Sequence, residues 1–210
     1  MSIRNLLRAV TPAPVRRMLR RMVSRTKPSG QHWCRVVMDK ECDKFVSLLP
    51  IAEMSCLEIS GPCSRWSRLA WKRYESVQYP EYDLCSGPRS EKAWDIIIAE
   101  QVLEHVPNPA RALKNIQLML RPGGIAILTT PFLVKFHPDP KDYYRWTADG
   151  LREAILQAGF SSVDTHTWGN RDCLLADMTD DGAWVFYRPR QHSLENQPRF
   201  PIVVWAFARR

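Results

Sequence analysis

Two short apolar runs do most to limit the folds that this chain can adopt. Residues 95–99 and 125–128 are rich in β-branched side chains and show no polar alternation, which is typical of strands covered on both faces. A helix is predicted between them from about Arg111, because apolar residues recur there at helical spacing. Asn108 and Pro109 suit its first turn. Two buried strands joined by a helix predict a parallel strand–helix–strand unit.

The rest of the chain continues this alternation of strands and helices. Further strands are predicted near residues 56–59, 75–79, 163–167 and 202–207, with a short one at 82–85, and helices near 39–49, 66–73 and after Thr147. This order predicts a doubly wound α/β domain. In such sheets ligands lie at the carboxyl ends of the strands, where the strand order reverses.

The net positive charge of the chain belongs to its N-terminus. Residues 1–30 hold eight Lys or Arg and no Asp or Glu, whereas the whole chain of 210 residues holds 30 basic and 22 acidic residues. Residues 31–210 therefore contain 22 of each kind. A nucleic-acid-binding domain would carry a basic excess there, so nucleic acid is an unlikely partner on this pattern.

The N-terminal segment also has a helical pattern, which we predict to be an extension (1–30) preceding a single domain (31–210). Apolar residues recur at i, i+3, i+4 and i+7 on either side of Pro12 and Pro14. A basic amphipathic helix on an anionic membrane surface fits this pattern. A helix that docks on its own domain or on a partner protein also fits it. RNA binding is disfavoured because the segment lacks aromatic side chains that would stack on bases.

The cysteines and the hydropathy indicate a cytoplasmic protein. Six cysteines are scattered along the chain without a C-x-x-C pair, which predicts a reducing compartment and no metal site. No run of about 18 apolar residues is present, so no membrane span is predicted. If the extension binds lipid, we expect the protein at the inner face of the membrane.

Four segments, in this order, carry a family resemblance: "CLEISGPCSRW", "WDIIIAEQVLEHVPNPARAL", "LRPGGIAILTTPF" and "TADGLREAILQAGF". Over about residues 52–165 the chain resembles the class I S-adenosylmethionine-dependent methyltransferases, and in particular the small bacterial type-11 branch. The resemblance implies a Rossmann-like sheet, mostly parallel with an antiparallel last strand, with helices on both faces and S-adenosyl-L-methionine as cofactor. The segment "HPDPKDYYRWT" (137–147) resembles part of methyltransferases that act on sugars or cell-surface glycans.

The resemblance also implies which residues bind the cofactor. Glu58 matches the acid that ends the first strand of the family, and the three loop glycines of the family fall on Ser60, Pro62 and Ser64. Pro62 has a fixed φ and no N–H, so the loop path must differ there. The acid expected after the second strand is replaced by Gln78. The predicted cofactor-binding residues are Glu58, Ser60, Gly61, Cys63, Gln78, Tyr79, Glu100 and Gln101.

Methyl transfer from a sulfonium requires alignment of the acceptor and exclusion of water more than a set of catalytic groups. A hydroxyl acceptor benefits from a base, and we predict His137 in the long loop after the fourth strand for this role. Asp142 and Tyr144 are predicted to bind the substrate, and His105 to position its helix by bonding the backbone. The two hypotheses are a methyltransferase for a small-molecule, sugar or lipid-linked acceptor, or an inactive methyltransferase-like fold that serves as a binding or scaffold module.

Overall fold

The computed structural model describes residues 30–59, 61, 64–179 and 184–210. The predicted N-terminal extension, apart from its last residue, lies outside the described residues, as do Ser60 and Cys63 of the predicted cofactor loop. Among the described residues, no helix is long and apolar enough to cross a membrane.

Six strands form one sheet in the order β2-β1-β3-β4-β6-β5. Strands β1 to β4 pair in parallel, whereas β6 is antiparallel to both of its neighbours, β4 and β5. The chain leaves β1 to form β2 on one side and then crosses to form β3 on the other, so the strand order reverses between β1 and β3. The predicted mostly parallel sheet with an antiparallel last strand is confirmed. The strands are β1 (Ser55–Glu58), β2 (Arg73–Ser76), β3 (Trp94–Glu100), β4 (Leu120–Pro131), β5 (Ser162–Trp168) and β6 (Val203–Arg209).

Helices cover both faces of this sheet, as predicted. The α-helices are α1 (Val36–Ser47), α2 (Ser64–Ser67), α3 (Pro109–Met119), α4 (Ala148–Gln157) and α5 (Arg171–Thr179). Apolar residues of α3 and α4 pack on one face, and those of α1, α2 and α5 pack on the other. Side chains of β3 divide between the two cores: Ile97 belongs to the first, whereas Ile96 and Ile98 belong to the second. This division explains why the strand has no polar alternation.

The predicted helix caps are present. Asn108 accepts a hydrogen bond from the backbone N–H of Arg111 at the start of α3, and Thr147 accepts one from Gly150 at the start of α4. Each side chain satisfies an N–H that has no partner within its own helix. Local sequence therefore determines where these two helices begin.

Two predicted elements differ from the structure. The helix predicted at 66–73 is only the four residues of α2, because the chain must turn after Ser67 to enter β2 at Arg73. The strand predicted at 82–85 is a turn: the Asp83 carboxylate accepts from the N–H of Cys85, and its carbonyl accepts from that of Ser86. Aspartate commonly closes turns in this way.

Candidate active site

A cavity of about 640 Å³ lies at the carboxyl ends of the parallel strands. Its wall includes Ile59 after β1, Gln78 after β2, Glu100 and Gln101 at the end of β3, and Pro131 at the end of β4. This is the edge where the strand order reverses, which is where ligands bind in doubly wound sheets. The volume lies in the usual range of small-molecule sites.

Gly61 approaches Gln78 closely beside this wall. Gly61 is buried, has a φ of +82°, and donates its N–H to the carbonyl oxygen of Val77 at 3.1 Å. A Cβ atom at this position would lie 2.7 Å from Oε1 of Gln78. The positive φ favours glycine here, and a larger residue would have to displace the end of the Gln78 side chain. The backbone after β1 thus approaches Gln78 closely at Gly61.

Gln101 has strained backbone at the end of β3. Its φ is +55°, which is uncommon for a residue other than glycine. The conformation is held by three hydrogen bonds to Thr129: the backbone N–H donates to the carbonyl oxygen at 2.9 Å and to Oγ1 at 3.2 Å, and Nε2 donates to Oγ1 at 3.1 Å. Strain of this kind concentrates at ligand-binding sites.

The other residues predicted to bind the cofactor take different positions. Gln78 and Tyr79 line the cavity, and the Tyr79 side chain is largely exposed. Glu58 is fully buried, and its carboxylate accepts a hydrogen bond from the Tyr74 hydroxyl. Glu58 is not among the residues that line the cavity in the described part of the chain.

Glu100 belongs to a group of two buried acids and two half-buried arginines, which we call the closed cluster (Arg35, Asp39, Arg65 and Glu100). Arg35 donates to Oε1 of Glu100, and Oε2 accepts from Arg65 Nη2 at 2.9 Å and from Trp66 Nε1 at 2.7 Å. Asp39 lies 3.0 Å from Nη1 of Arg65. Both oxygens of Glu100 are therefore occupied by donors from α2 and from the segment before α1.

Glu104 and two histidines form a second group, which we call the open cluster (Glu104, His105 and His137). The Glu104 side chain is fully buried, and burial raises its pKa to about 8. Its Oε2 accepts from Thr130 Oγ1 at 3.4 Å, whereas Oε1 has no hydrogen-bond partner among the residues that the structure describes. The nearest polar atoms to Oε1 in this cluster are Nε2 of His105 at 3.6 Å and Nε2 of His137 at 4.0 Å.

Both histidines are oriented by backbone carbonyl groups and line the cavity. Nδ1 of His105 lies 2.6 Å from the carbonyl oxygen of Lys141, and Nδ1 of His137 lies 3.1 Å from that of Lys135. The expected bonding of His105 to the backbone is thus observed, but its other ring nitrogen faces Glu104. The rings of His105 and His137 meet edge to face with centroids 5.2 Å apart.

The two residues predicted to bind substrate do not line the cavity. Asp142 accepts the N–H of His137 at 2.9 Å and pairs with Arg145, whose hydrogen bonds lower the pKa of Asp142 to about 2. The Tyr144 hydroxyl donates to the carbonyl oxygen of Pro107, and its neighbour Tyr143 lines the cavity instead.

Sequence reasoning missed several cavity residues that come from distant parts of the chain. Arg35 precedes α1, Lys141 follows His137 in the long loop, and Trp184 packs edge to face on His137 with ring centroids 5.6 Å apart. Arg35 and Trp184 lie 59 and 84 positions from the nearer ends of β3, so no local pattern could have identified them.

Comparison with known proteins supports the resemblance of this sequence to methyltransferases. A family model described as a methyltransferase domain matches residues 30–168. A probable S-adenosylmethionine-dependent methyltransferase of Mycobacterium tuberculosis is 28% identical over 97 residues, which cover 43% of this chain and 35% of that protein. An O-methyltransferase of Pyrenophora dematioidea is 25% identical over 167 residues, covering 70% of this chain and 61% of that protein. The chain thus spans only part of the length of these relatives.

Solved structures show the same fold at low sequence identity. An S-adenosylmethionine-dependent methyltransferase of Mesorhizobium loti has a TM-score of 0.53 at 14% identity, covering 81% of this chain and 97% of that one. Another, of Archaeoglobus fulgidus, has a TM-score of 0.55 at 11% identity, covering 84% and 94%. The family model covers well over half of the chain, and the chain therefore belongs to the methyltransferase-domain family, whose relatives here are S-adenosylmethionine-dependent enzymes.

Proposed function

We propose that this chain transfers the methyl group of S-adenosylmethionine to a hydroxyl group of a small-molecule, sugar or lipid-linked acceptor. One observation carries the proposal: a single cavity is lined both by Gln78 and Gln101, which match cofactor positions of the family, and by His105 and His137, which belong to the open cluster. Methyl transfer to a hydroxyl requires a cofactor-binding side of the cavity, which we call the cofactor wall, and a proton-accepting group that faces the same cavity.

The residues on the cofactor side of the cavity fit S-adenosylmethionine. Gly61 supplies the close backbone approach, Gln101 supplies a strained turn, and Gln78 offers an amide where the family has an acid. Tyr79 and Glu100 complete this wall, and we expect Glu58, Ser60 and Cys63 to support the loop. When bound, the cofactor supplies a methyl group on a sulfonium: the O–C bond forms as the C–S bond breaks, and S-adenosylhomocysteine leaves with the electron pair.

His137 is the proposed base for this reaction. Its Nδ1 faces the carbonyl oxygen of Lys135, which can only accept, so we place the proton on Nδ1. Nε2 then carries a lone pair that can take the proton of the acceptor hydroxyl. Asp142 holds the backbone N–H of His137 and so acts as a positioning residue. Tyr144 stays a proposed substrate contact, together with its cavity-lining neighbour Tyr143.

Two resemblances support a hydroxyl acceptor. The relative from Pyrenophora dematioidea is named an O-methyltransferase. Residues 137–147 resemble a segment of methyltransferases that act on sugars, and in this structure His137 and Tyr143 of that segment line the cavity. An acceptor with sugar hydroxyls would account for both.

Calorimetric titration with S-adenosylhomocysteine tests the cofactor part of the proposal. We expect saturable binding and a rise in melting temperature, because a ligand that binds only the folded state stabilises it. No binding at millimolar ligand would favour the hypothesis of an inactive scaffold. Transfer of a labelled methyl group to a panel of sugars and glycolipids, with His137→Asn as the comparison, tests the choice of acceptor.

For the N-terminal segment we propose peripheral contact with anionic membrane from the cytoplasmic side, with residues 31–210 as the methyltransferase domain. The eight basic residues and the apolar periodicity of residues 1–30 support this proposal. Co-sedimentation with anionic liposomes should fall on deletion of residues 1–30, and neutral liposomes serve as the control. Unchanged co-sedimentation would remove the proposed role.

A further inference from the structure

The open cluster brings three atoms with free electron pairs towards one point. Nε2 of His105 and Nε2 of His137 lie 3.6 and 4.0 Å from Oε1 of Glu104, and each of the three residues offers a ligand atom within 4.8 Å of those of the other two. Glu104 is fully buried, and no described residue donates a hydrogen bond to this oxygen. An unpaired buried carboxylate oxygen is costly, so this geometry calls for a positively charged or donating group at that point.

The backbone determines which ring nitrogen of each histidine is free. Nδ1 of His105 and Nδ1 of His137 each lie within hydrogen-bonding distance of a carbonyl oxygen, from Lys141 and Lys135 respectively. A carbonyl oxygen can only accept, so each Nδ1 carries a proton and each Nε2 of the neutral ring has a lone pair. Two neutral imidazoles oriented in this way cannot donate to Glu104 through Nε2.

We propose that Glu104, His105 and His137 bind a divalent transition-metal cation of the Zn²⁺ type. Two imidazoles and one carboxylate are a common ligand set for catalytic Zn²⁺ and for other first-row divalent ions. A carbonyl group that orients each ligating histidine through its second ring nitrogen is the usual outer shell of such sites. The cluster already has this outer shell at both histidines.

The distances fit a site that closes slightly around its ion. Ligand bonds to Zn²⁺ of about 2.0–2.2 Å place neighbouring ligand atoms about 3.3 Å apart. The two Nε2 atoms lie 3.6 and 4.0 Å from Oε1 of Glu104. The required contraction is therefore well under 1 Å for each of these pairs, which small rotations of the histidine rings can supply.

Two cations near the site, Arg145 and Lys135, have partners of their own. Arg145 pairs with Asp142, and Nζ of Lys135 donates to the carbonyl oxygen of Asp177 and lies over the Trp184 ring. Neither side chain contacts the unpaired Glu104 oxygen among the described contacts. A bound cation would thus supply the partner that Oε1 of Glu104 lacks among the described residues.

The cation would face the acceptor side of the cavity, since His105 and His137 both line it. This consequence rests on the proposed function: a cation there would acidify an acceptor hydroxyl, and His137 would then hold the cation instead of taking the proton. Cation binding itself does not depend on methyl transfer and is tested without turnover.

The test uses the untagged full chain after chelator treatment, titrated calorimetrically with ZnCl₂ and, for its visible absorption, with CoCl₂. We expect one cation per chain, with affinity reduced at least tenfold in His105→Asn and in His137→Asn. His166→Asn is the matched control, because His166 also contacts a carboxylate, that of Asp164 at 2.9 Å, but on the exposed face of β5. Far-ultraviolet circular dichroism confirms that each variant is folded.

Two results would overturn the inference. Absence of binding at 100-fold molar excess of Zn²⁺ would mean that a proton neutralises the cluster. Binding that survives both variants of the cluster, or that is lost in His166→Asn, would place the cation elsewhere. Titration of the unsubstituted chain with S-adenosylhomocysteine separates the two proposals. Zn²⁺ binding without binding of S-adenosylhomocysteine would contradict the proposed function only. Binding of S-adenosylhomocysteine without Zn²⁺ binding would contradict the cation site only.

Discussion

The closed and open clusters contain two buried glutamates, Glu100 and Glu104, that lie four residues apart at the same end of the sheet. Glu100 accepts from Arg35, Arg65 and Trp66, so both of its oxygens are occupied. Glu104 has one weakly paired oxygen and one oxygen without a donor among the described residues. The two acids are similarly buried but differ in how completely the protein pairs them.

This difference separates an acid that the protein pairs internally from one whose carboxyl group is left incompletely paired. Breaking a buried ion pair leaves uncompensated charge, so the closed cluster should stabilise the attachment of α2 and of the segment before α1 to the sheet. Burial instead raises the pKa of Glu104 to about 8, and ionisable groups shifted in this way mark candidate ligand sites. The comparison yields predictions that can be ranked by size.

The largest expected effect is on stability when each glutamate is replaced by its neutral isostere. Glu100→Gln should lower the free energy of unfolding by about 3 kcal/mol, because Arg35 and Arg65 lose their shared charge partner. Glu104→Gln should change it by less than about 1 kcal/mol, or raise it, because no paired charge is lost. Urea unfolding with a chelator present measures both values. Equal losses would contradict the distinction between the clusters.

Trp66→Phe should have the next largest effect. The ring is buried against the core, and phenylalanine keeps much of that packing while removing the N–H that Oε2 of Glu100 accepts at 2.7 Å. Loss of a hydrogen bond to a buried charge, together with the smaller ring, should cost about 2 kcal/mol in urea unfolding. In combination with Glu100→Gln the costs should be less than additive, since both changes affect one contact. Full additivity would show that Trp66 acts through packing alone.

A pair of glycines tests the cofactor wall. Gly61 and Gly123 have φ values of +82° and +77°, but only Gly61 has a neighbour, Gln78, where a Cβ would go. Each change to alanine should cost about 1 kcal/mol of stability for the positive φ. Only Gly61→Ala should also weaken S-adenosylhomocysteine binding, by about tenfold, because it displaces the Gln78 amide. Equal cofactor affinity in the two variants would exclude this role of the loop.

The smallest expected effect is at the amino end of β3, where Asp95 is a third paired acid. Burial opposes its ionisation, but hydrogen bonds from Ser55 and Arg121 outweigh this and hold the pKa of Asp95 below its usual value. A lowered pKa in the folded state stabilises the protein above the unfolded value of about 3.9, and this contribution is lost as pH falls through the folded value.

Ser55→Ala removes the Oγ donor to Asp95, which lies 2.6 Å away. The loss should be under about 1 kcal/mol at pH 7, since Asp95 is partly exposed. At about pH 2 it should shrink to the part that comes from the backbone N–H of Asp95, which Ser55 Oγ also accepts at 3.0 Å. Urea unfolding at both pH values, with Ser161→Ala as a surface control, measures the difference. A loss that does not depend on pH would mean that Ser55 contributes through the backbone and not through the carboxylate.

Much of the fold could be predicted because the sequence patterns that indicate its strands and helices involve residues close together in the chain. The unbroken apolar run of β3, the Asn108 and Thr147 caps and the strand–helix alternation depend on neighbours within a few residues. The strand predicted around Asp83 and the longer helix predicted at α2 were wrong, because the path of the chain between strands determines the local structure there.

The sequence by itself determined the alternation of strands and helices, the edge of the sheet where the cavity lies, and the candidates Gln78, Gln101 and His137 that line it. Only the tertiary structure decided that Arg35 and Arg65 pair with the carboxylate of Glu100. It also decided that Glu104 faces two histidines and keeps one oxygen without a hydrogen-bond donor among the described residues. The physical reason is the separation in sequence over which each interaction acts. Periodicity and capping act between residues close in sequence, but the pairing of a buried charge depends on which distant segments the fold brings within hydrogen-bonding distance.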